Sequence, residues 1–270
     1  MSILPIDTGR YGTKEMLEIF REQKKIDYQL EIEAAAVLSQ NEIGLIPASV
    51  ARDIARASKS GKITAKRIKQ LEAKSDHDTA ALVEALAEKC QKASRPWIHY
   101  GLTSNDLVDT SNSMQMRDAI NIIQPKVSKL SLLLSKNAVK YKNVPAVGRT
   151  HGQHASIISF GLKFANWAAE MSTHLERLDE IKKRVLICKT MGVVGTGSLM
   201  GKNAIKVQER VAKKLGLYPA RVTTQIIPRE RYAEYIFQLS LLGATLELSL
   251  IHISEPTRPR LISYAVFCLK

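Results

Sequence analysis

The apolar residues Phe164, Ala168, Met171, Leu175 and Leu178 follow one another at alternating steps of four and three. On a helix of 3.6 residues per turn these steps fall on one stripe, so the spacing predicts a helix over residues 156–185 with one face to bury. A second long pattern covers 106–141, with Pro125 placed to kink it. Shorter patterns predict helices at 14–39, 47–58, 64–74, 79–90, 203–215 and 230–247. Strand-like alternation is scarce. Two helices of some thirty residues with heptad-like seams point to an all-α protein, a small helical domain followed by a bundle of long packed helices.

Glycine and proline punctuate these helices at 44–47, 101, 145–152, 192–201 and 217–219, and polar chemistry gathers in the same places. A glycine-containing turn near Thr103 marks the expected boundary between a first domain, residues 1–105, and a long-helix domain, residues 106–247. The stretch 248–270 reads differently. Back-translated, its first part and its last part both resemble the two ends of one transposase-derived sequencing adapter, in a single frame. It is therefore expected to be foreign to the gene, leaving His252 and Cys268 without functional weight.

Composition narrows the picture only a little. The 270 residues are 45% hydrophobic and 24% charged, ordinary for a soluble globular chain. No basic, apolar leader and no run of 18 apolar residues occurs, so no membrane partner is expected and the cytoplasm is the expected compartment. Cys90, Cys188 and Cys268 lack CxxC spacing, which fits a reducing compartment. The formal net charge of +14 raises the possibility of nucleic-acid binding. Yet the lysines and arginines alternate with glutamates, as in RLDEIKKR and KVQERVAKK, the pattern of solvated helix faces, so no nucleic-acid partner is expected.

Three polar turns carry candidate chemistry. In GRTHGQHA, Thr150 and His151 sit in a Gly-rich segment ahead of a helix, where an imidazole is free to meet a ligand and suits acid–base work near neutral pH. His151 and His154 have the i, i+3 spacing of metal ligands, but the glutamate and third ligand of a zinc site are missing, so no metal is expected. In HYGLTSND, Thr103 and Asp106 have capping-box spacing. Thr103, Ser104 and the free N–H groups at a helix start also make a site for a carboxylate. The polar run 109–113 interrupts the apolar pattern where a buried seam is expected. In SDHDT, Asp76, His77 and Asp78 open the next helix, with Asp78 as an ordinary cap or His77 as a cation held between carboxylates. Arg10 and Tyr11 could hold a phosphate. The segment GTGSLMGKN lacks P-loop spacing, which argues against nucleoside triphosphate hydrolysis.

Taken in order, HYGLTSNDLVDT, GRTHGQHASIISFGLKFA, the GVVGTGS loop followed by KLGL, and TTQIIPRERYAEY resemble the fumarase and aspartase superfamily, and within it the adenylosuccinate lyase family. The resemblance covers residues 10–247. It implies a homotetramer with sites shared between subunits, and elimination of fumarate from succinyl-AMP and from a succinylated aminoimidazole carboxamide ribotide, without a cofactor. It implies that Arg10 and Tyr11 bind phosphate, that Asp76, His77 and Asp78 meet the nucleotide, and that Thr103 and Ser104 grip a succinyl carboxylate. Thr150 and Gln225 would also touch substrate, with His151 as general acid and His77 as a supporting acid. Rivals that reuse such turns are argininosuccinate lyases, carboxymuconate cycloisomerases and a noncatalytic basic helical scaffold. The resemblance also implies a mobile serine loop, carrying the general base, beyond Glu247. The 270-residue chain is accordingly expected to be inactive and poorly folded, exposing an apolar helix seam.

Overall fold

The computed structural model describes residues 12–254. Arg10, Tyr11 and most of the adapter-like stretch, Cys268 included, lie outside the described residues. Helices dominate, as the apolar periodicity predicts, and the all-α class is borne out. The order is α1 (Lys14–Ile19), α2 (Glu22–Glu42), α3 (Ala48–Ser58), α4 (Ala65–Ser75), α5 (Asp78–Ala87) and α6 (Ser104–Lys140). A hairpin of β1 (Pro145–Thr150) and β2 (Gln153–Ser159) precedes α7 (Phe160–Val185). The strand β3 (Ile187–Cys188), α8 (Ala204–Leu215), β4 (Tyr218–Pro219) and α9 (Glu230–Ser254) follow. The helix expected over 14–39 is two helices. The 37-residue α6 runs through Pro125.

The structure differs from the expected pattern most clearly at 156–159, where a strand replaces the first turn of the expected helix. Val147 pairs with Ile157 and Ala146 with Ile158 across the hairpin. β-branched residues lose little rotamer freedom in a strand and more in a helix, so Ile157 and Ile158 settle as strand.

Chain contacts divide the protein into two units, residues 1–122 with 182–231, and residues 123–181 with 232–270. In the first, α2 buries Tyr28, Ile32, Ala34, Ala36 and Val37 and packs on α3 and α8. The carboxylate of Asp118 accepts from the Tyr28 hydroxyl at 2.5 Å and from Arg117 Nε at 2.7 Å. The short strands β3 and β4 pair in parallel beside a cluster of Ile187, Ala220 and Ile227.

The second unit joins the end of α6 to α7 and α9 through Val127, Met171 and Leu242, with Leu130, Leu134 and Leu175 packed around them. Four members of the predicted stripe behave as expected: Ala168, Met171 and Leu178 are buried and Leu175 partly so. At Gly161 a side chain is impossible, because a Cβ would lie 2.3 Å from the Ala138 carbonyl oxygen. That close approach seats the hairpin on a ladder of Tyr141, Phe160, Phe164 and Trp167, whose neighbouring ring centroids are 5.4 to 5.7 Å apart.

Candidate active site

Only three non-glycine residues have left-handed backbone among the described residues: Asp76 (φ 49°), His99 (φ 61°) and His151 (φ 51°). Each lies in one of the three polar turns singled out above. A Cβ makes this conformation costly, and it persists where the surroundings impose it, commonly at functional sites.

Asp76 ends α4, and His77 begins α5. The N-cap is His77, not Asp78: its Nδ1 accepts from the Ala80 N–H at 3.3 Å. Asp78 Oδ1 instead accepts from the Thr79 N–H at 2.6 Å. All three side chains are exposed. They share an open cavity of about 450 Å³ with Glu72, Ser104, Asn105 and Val108. The fold thus brings the SDHDT turn to the first turn of α6, where amide N–H groups lack intrahelical partners. One wall of this cavity is carboxylate and imidazole, and the other is the positive end of a helix.

The HYGLTSND turn is fixed from behind. His99 Nδ1 is 2.6 Å from Glu33 Oε1, and its backbone N–H donates to Glu33 Oε2 at 3.1 Å. Burial lowers the His99 pKa, but the buried Glu33 carboxylate more than offsets this and raises it overall. Gln40 Nε2 donates to the Tyr100 carbonyl at 2.8 Å. Thr103 N–H donates to Asp106 Oδ2 at 3.0 Å, half of the expected capping box. Thr103 is buried and Ser104 half-buried.

Behind Ser104, α6 buries the polar run that interrupts the apolar pattern. Asp106, Asp109, Thr110 and Ser111 are fully buried. Lys189, itself fully buried, pairs with Asp106, and the Gly192 N–H donates to Asp106 Oδ2 at 2.9 Å. Burial pushes the Asp106 carboxyl above its ordinary value against the pull of Lys189 and these N–H groups. Thr110 Oγ1 donates to the Lys189 carbonyl at 3.0 Å and accepts from its N–H at 3.1 Å. Asp109 accepts from the Ile227 N–H at 2.8 Å and from Arg229 at 2.6 Å. Gln225, two residues earlier, is exposed. The sequence marked this run as anomalous, but Lys189 was missed; its only signal is a lone lysine in the apolar stretch LICKTMG.

Thr150 and His151 belong to the second unit, at the tip of the hairpin. Thr150 pairs with Gln153, leaving His151 and Gly152 as a two-residue loop, both with positive φ (51° and 74°). That is the geometry of a type I′ turn, whose twist matches the strands it joins. Both His151 and Thr150 are exposed, so the hairpin holds an imidazole out to solvent. His154 lies behind it, 3.3 Å from Arg149 Nη2.

Residues 9–252 match the family described as Lyase, and the chain belongs to that family. Among its relatives is the adenylosuccinate lyase of Methanocaldococcus jannaschii, 43% identical over 91% of this chain and 53% of the relative. The adenylosuccinate lyase of Thermotoga maritima is 34% identical over 94% of this chain and 57% of the relative. The chain spans about half the length of the curated relatives it matches. The fumarate lyase from Mesorhizobium sp. BNC1 superposes with TM-score 0.80 at 28% identity, covering 91% of this chain and 60% of that one. The β-carboxy-cis,cis-muconate cycloisomerase from Acinetobacter calcoaceticus sp. ADP1 gives TM-score 0.78 at 29% identity, with 88% and 57% covered. The resemblance carried by the four sequence blocks is borne out.

Proposed function

We propose that the protein to which these residues belong is a carbon–nitrogen lyase that eliminates fumarate from succinyl-AMP, and from the analogous succinylated aminoimidazole carboxamide ribotide. One observation carries this reading: the three turns with forced left-handed backbone are the three that bear the proposed acids and the carboxylate-binding hydroxyls. The shared cavity of the SDHDT turn and the start of α6 supports it.

The chemistry follows from these groups. Removing a C–H proton next to a carboxylate builds extra negative charge on that carboxylate, and donors already in place must stabilise it. Thr103, Ser104 and the first-turn amides of α6 take that role. Asp76, His77 and Asp78 meet the nucleotide, while Arg10 and Tyr11 hold its phosphate. Gln225 and Thr150 complete the substrate contacts. His151 protonates the departing nitrogen, and His77 assists; an imidazole can do this near neutral pH without a metal or organic cofactor. The base belongs to the serine loop that the resemblance puts beyond Glu247.

Copies associate as a homotetramer through the second unit. Leu132, Leu133, Val139, Ile236 and Phe237 there are more than half exposed, an apolar surface suited to partner helices. No helix among the described residues is long and apolar enough to cross a membrane, in keeping with action in the cytoplasm.

The muconate cycloisomerase reading is weaker, since adenylosuccinate lyases reach 43% identity and the cycloisomerase 29%. The test is a substrate panel given to a chain extending these residues to the length of the relatives. Succinyl-AMP should yield AMP and fumarate in equal amounts, with argininosuccinate and carboxymuconate left unchanged. Turnover of either of those instead of succinyl-AMP overturns the proposal.

A further inference from the structure

Of the buried acidic pair on α6, only Asp106 meets a proposed substrate group directly, through the Thr103 N–H, and both carboxylates also end on loops farther along the chain. Asp106 and Asp109 are three residues apart, so they project from one side of the helix. Asp106 holds Lys189 and the Gly192 N–H, the entry to the 192–201 glycine loop. Asp109 holds the Ile227 N–H and Arg229, two and four residues after Gln225. The two loops meet: a Cβ at Gly195 would lie 2.1 Å from the Thr223 carbonyl oxygen. Each carboxylate is fully buried.

We infer that Asp106 and Asp109 are positioning residues: Asp109 anchors the Gln225 turn, and Asp106 the glycine loop packed against that turn, to the helix that presents Ser104. One peg then sets the spacing of the Ser104 turn, the glycine loop and the Gln225 turn. A change at either carboxylate moves one loop without dissolving the helix. The link to turnover rests on the proposed lyase activity, but the anchoring itself does not.

Amide hydrogen exchange in the 270-residue chain, resolved by residue, separates these levels. Asp109→Asn replaces two charge-assisted bonds with weaker ones and should speed exchange at Ile227 by roughly tenfold or more. Gly192 should stay within about threefold, as should the buried core of α2. Asp106→Asn should do the reverse, speeding Gly192 by roughly tenfold or more beyond the common acceleration that Ile227 and the α2 core share from lost overall stability. Should Asp109→Asn not fold, Arg229→Ala probes the same anchor from a half-exposed side chain. Acceleration of both amides in step with α2 would show that the pair serves overall stability alone, and would overturn the inference. In the extended, active chain, Asp109→Asn should raise KM for succinyl-AMP by about tenfold with kcat little changed. Unchanged KM alongside selective exchange would also overturn it. An extended wild-type chain without lyase activity would remove the functional reading, while the exchange pattern still decides the anchoring.

Discussion

Lys189→Met is the sharpest perturbation of the first unit. It removes the cation from a fully buried pair and leaves Asp106 with the Gly192 and Thr103 N–H groups as partners. Breaking one side of a buried ion pair costs about 3 to 5 kcal/mol, because the remaining charge has lost both water and partner. Protonation sets a ceiling. Neutralising a carboxyl of ordinary pKa near 3.9 at pH 7 costs about 3 units at about 1.4 kcal/mol each, roughly 4 kcal/mol. The expected loss is therefore about 3 to 4 kcal/mol at pH 7, and no more than about 1.5 at pH 5, where the escape is easier. Asp106→Asn strands the ammonium instead and should cost a similar amount. The double variant buries no charge and leaves one N–H poorly satisfied, so it should cost only about 1 to 3 kcal/mol. Urea unfolding followed by Trp97 fluorescence, in a Trp167→Phe background, reports on the first unit, and a shift in midpoint at constant slope reads the loss. A Lys189→Met variant within about 1 kcal/mol of the parent, or a double variant matching the sum of the singles, refutes the reasoning.

Three further outcomes follow from other parts of the structure. His174 is buried in the second unit with Nε2 2.8 Å from Thr245 Oγ1, and Thr245 gives its own proton to the Leu241 carbonyl at 3.1 Å, so the imidazole donates. Burial lowers its pKa, helped by Arg177 and opposed by Glu170. The unfolded chain then binds the extra proton between the folded pKa and about 6.5, so stability should fall as pH drops through that window and level off below it. His174→Gln should flatten this slope in pH-dependent unfolding; an unaltered slope rejects the assignment. Gly195→Ala adds a Cβ at φ 80° against the Thr223 carbonyl, and should cost at least about 2 kcal/mol in urea unfolding, with near-parental stability counting against the packing described. Thr103→Ala combined with Ser104→Ala should weaken transition-state binding by roughly 2 to 4 kcal/mol, read as kcat/KM in the extended chain; an unchanged value would release the turn from its carboxylate role.

How much of this was legible in the sequence depends on range. The helices were, because burial of one face imposes a 3.6-residue period that Met171 and Leu178 display directly. The hairpin was not: a two-residue turn built on His151 and Gly152 lacks the usual Asn-Gly or Asp-Gly signal, and two isoleucines also fit the start of a helix. The site divides in the same way. The polar turns stood out by composition, and Thr103 with Asp106 showed its cap by spacing alone. The roles of Asp109 and Lys189 depend on partners 118 and 83 residues away along the chain. Periodicity has no access to such pairings. The capping atom at the SDHDT turn was misjudged for a smaller reason, since an imidazole Nδ1 can accept from N3 as a carboxylate does.

In the proposed reaction His151 delivers a proton and the Thr103–Ser104 turn holds the fumarate fragment. Fumarate release from succinyl-AMP, compared between the extended wild-type chain and its His151→Gln variant at equal protein concentration, tests it most directly. Stoichiometric AMP and fumarate are expected from the wild type, and a rate at least about a hundredfold lower from the variant, with the fold intact by circular dichroism. Full-rate turnover by His151→Gln, or no fumarate from the wild type, would contradict it.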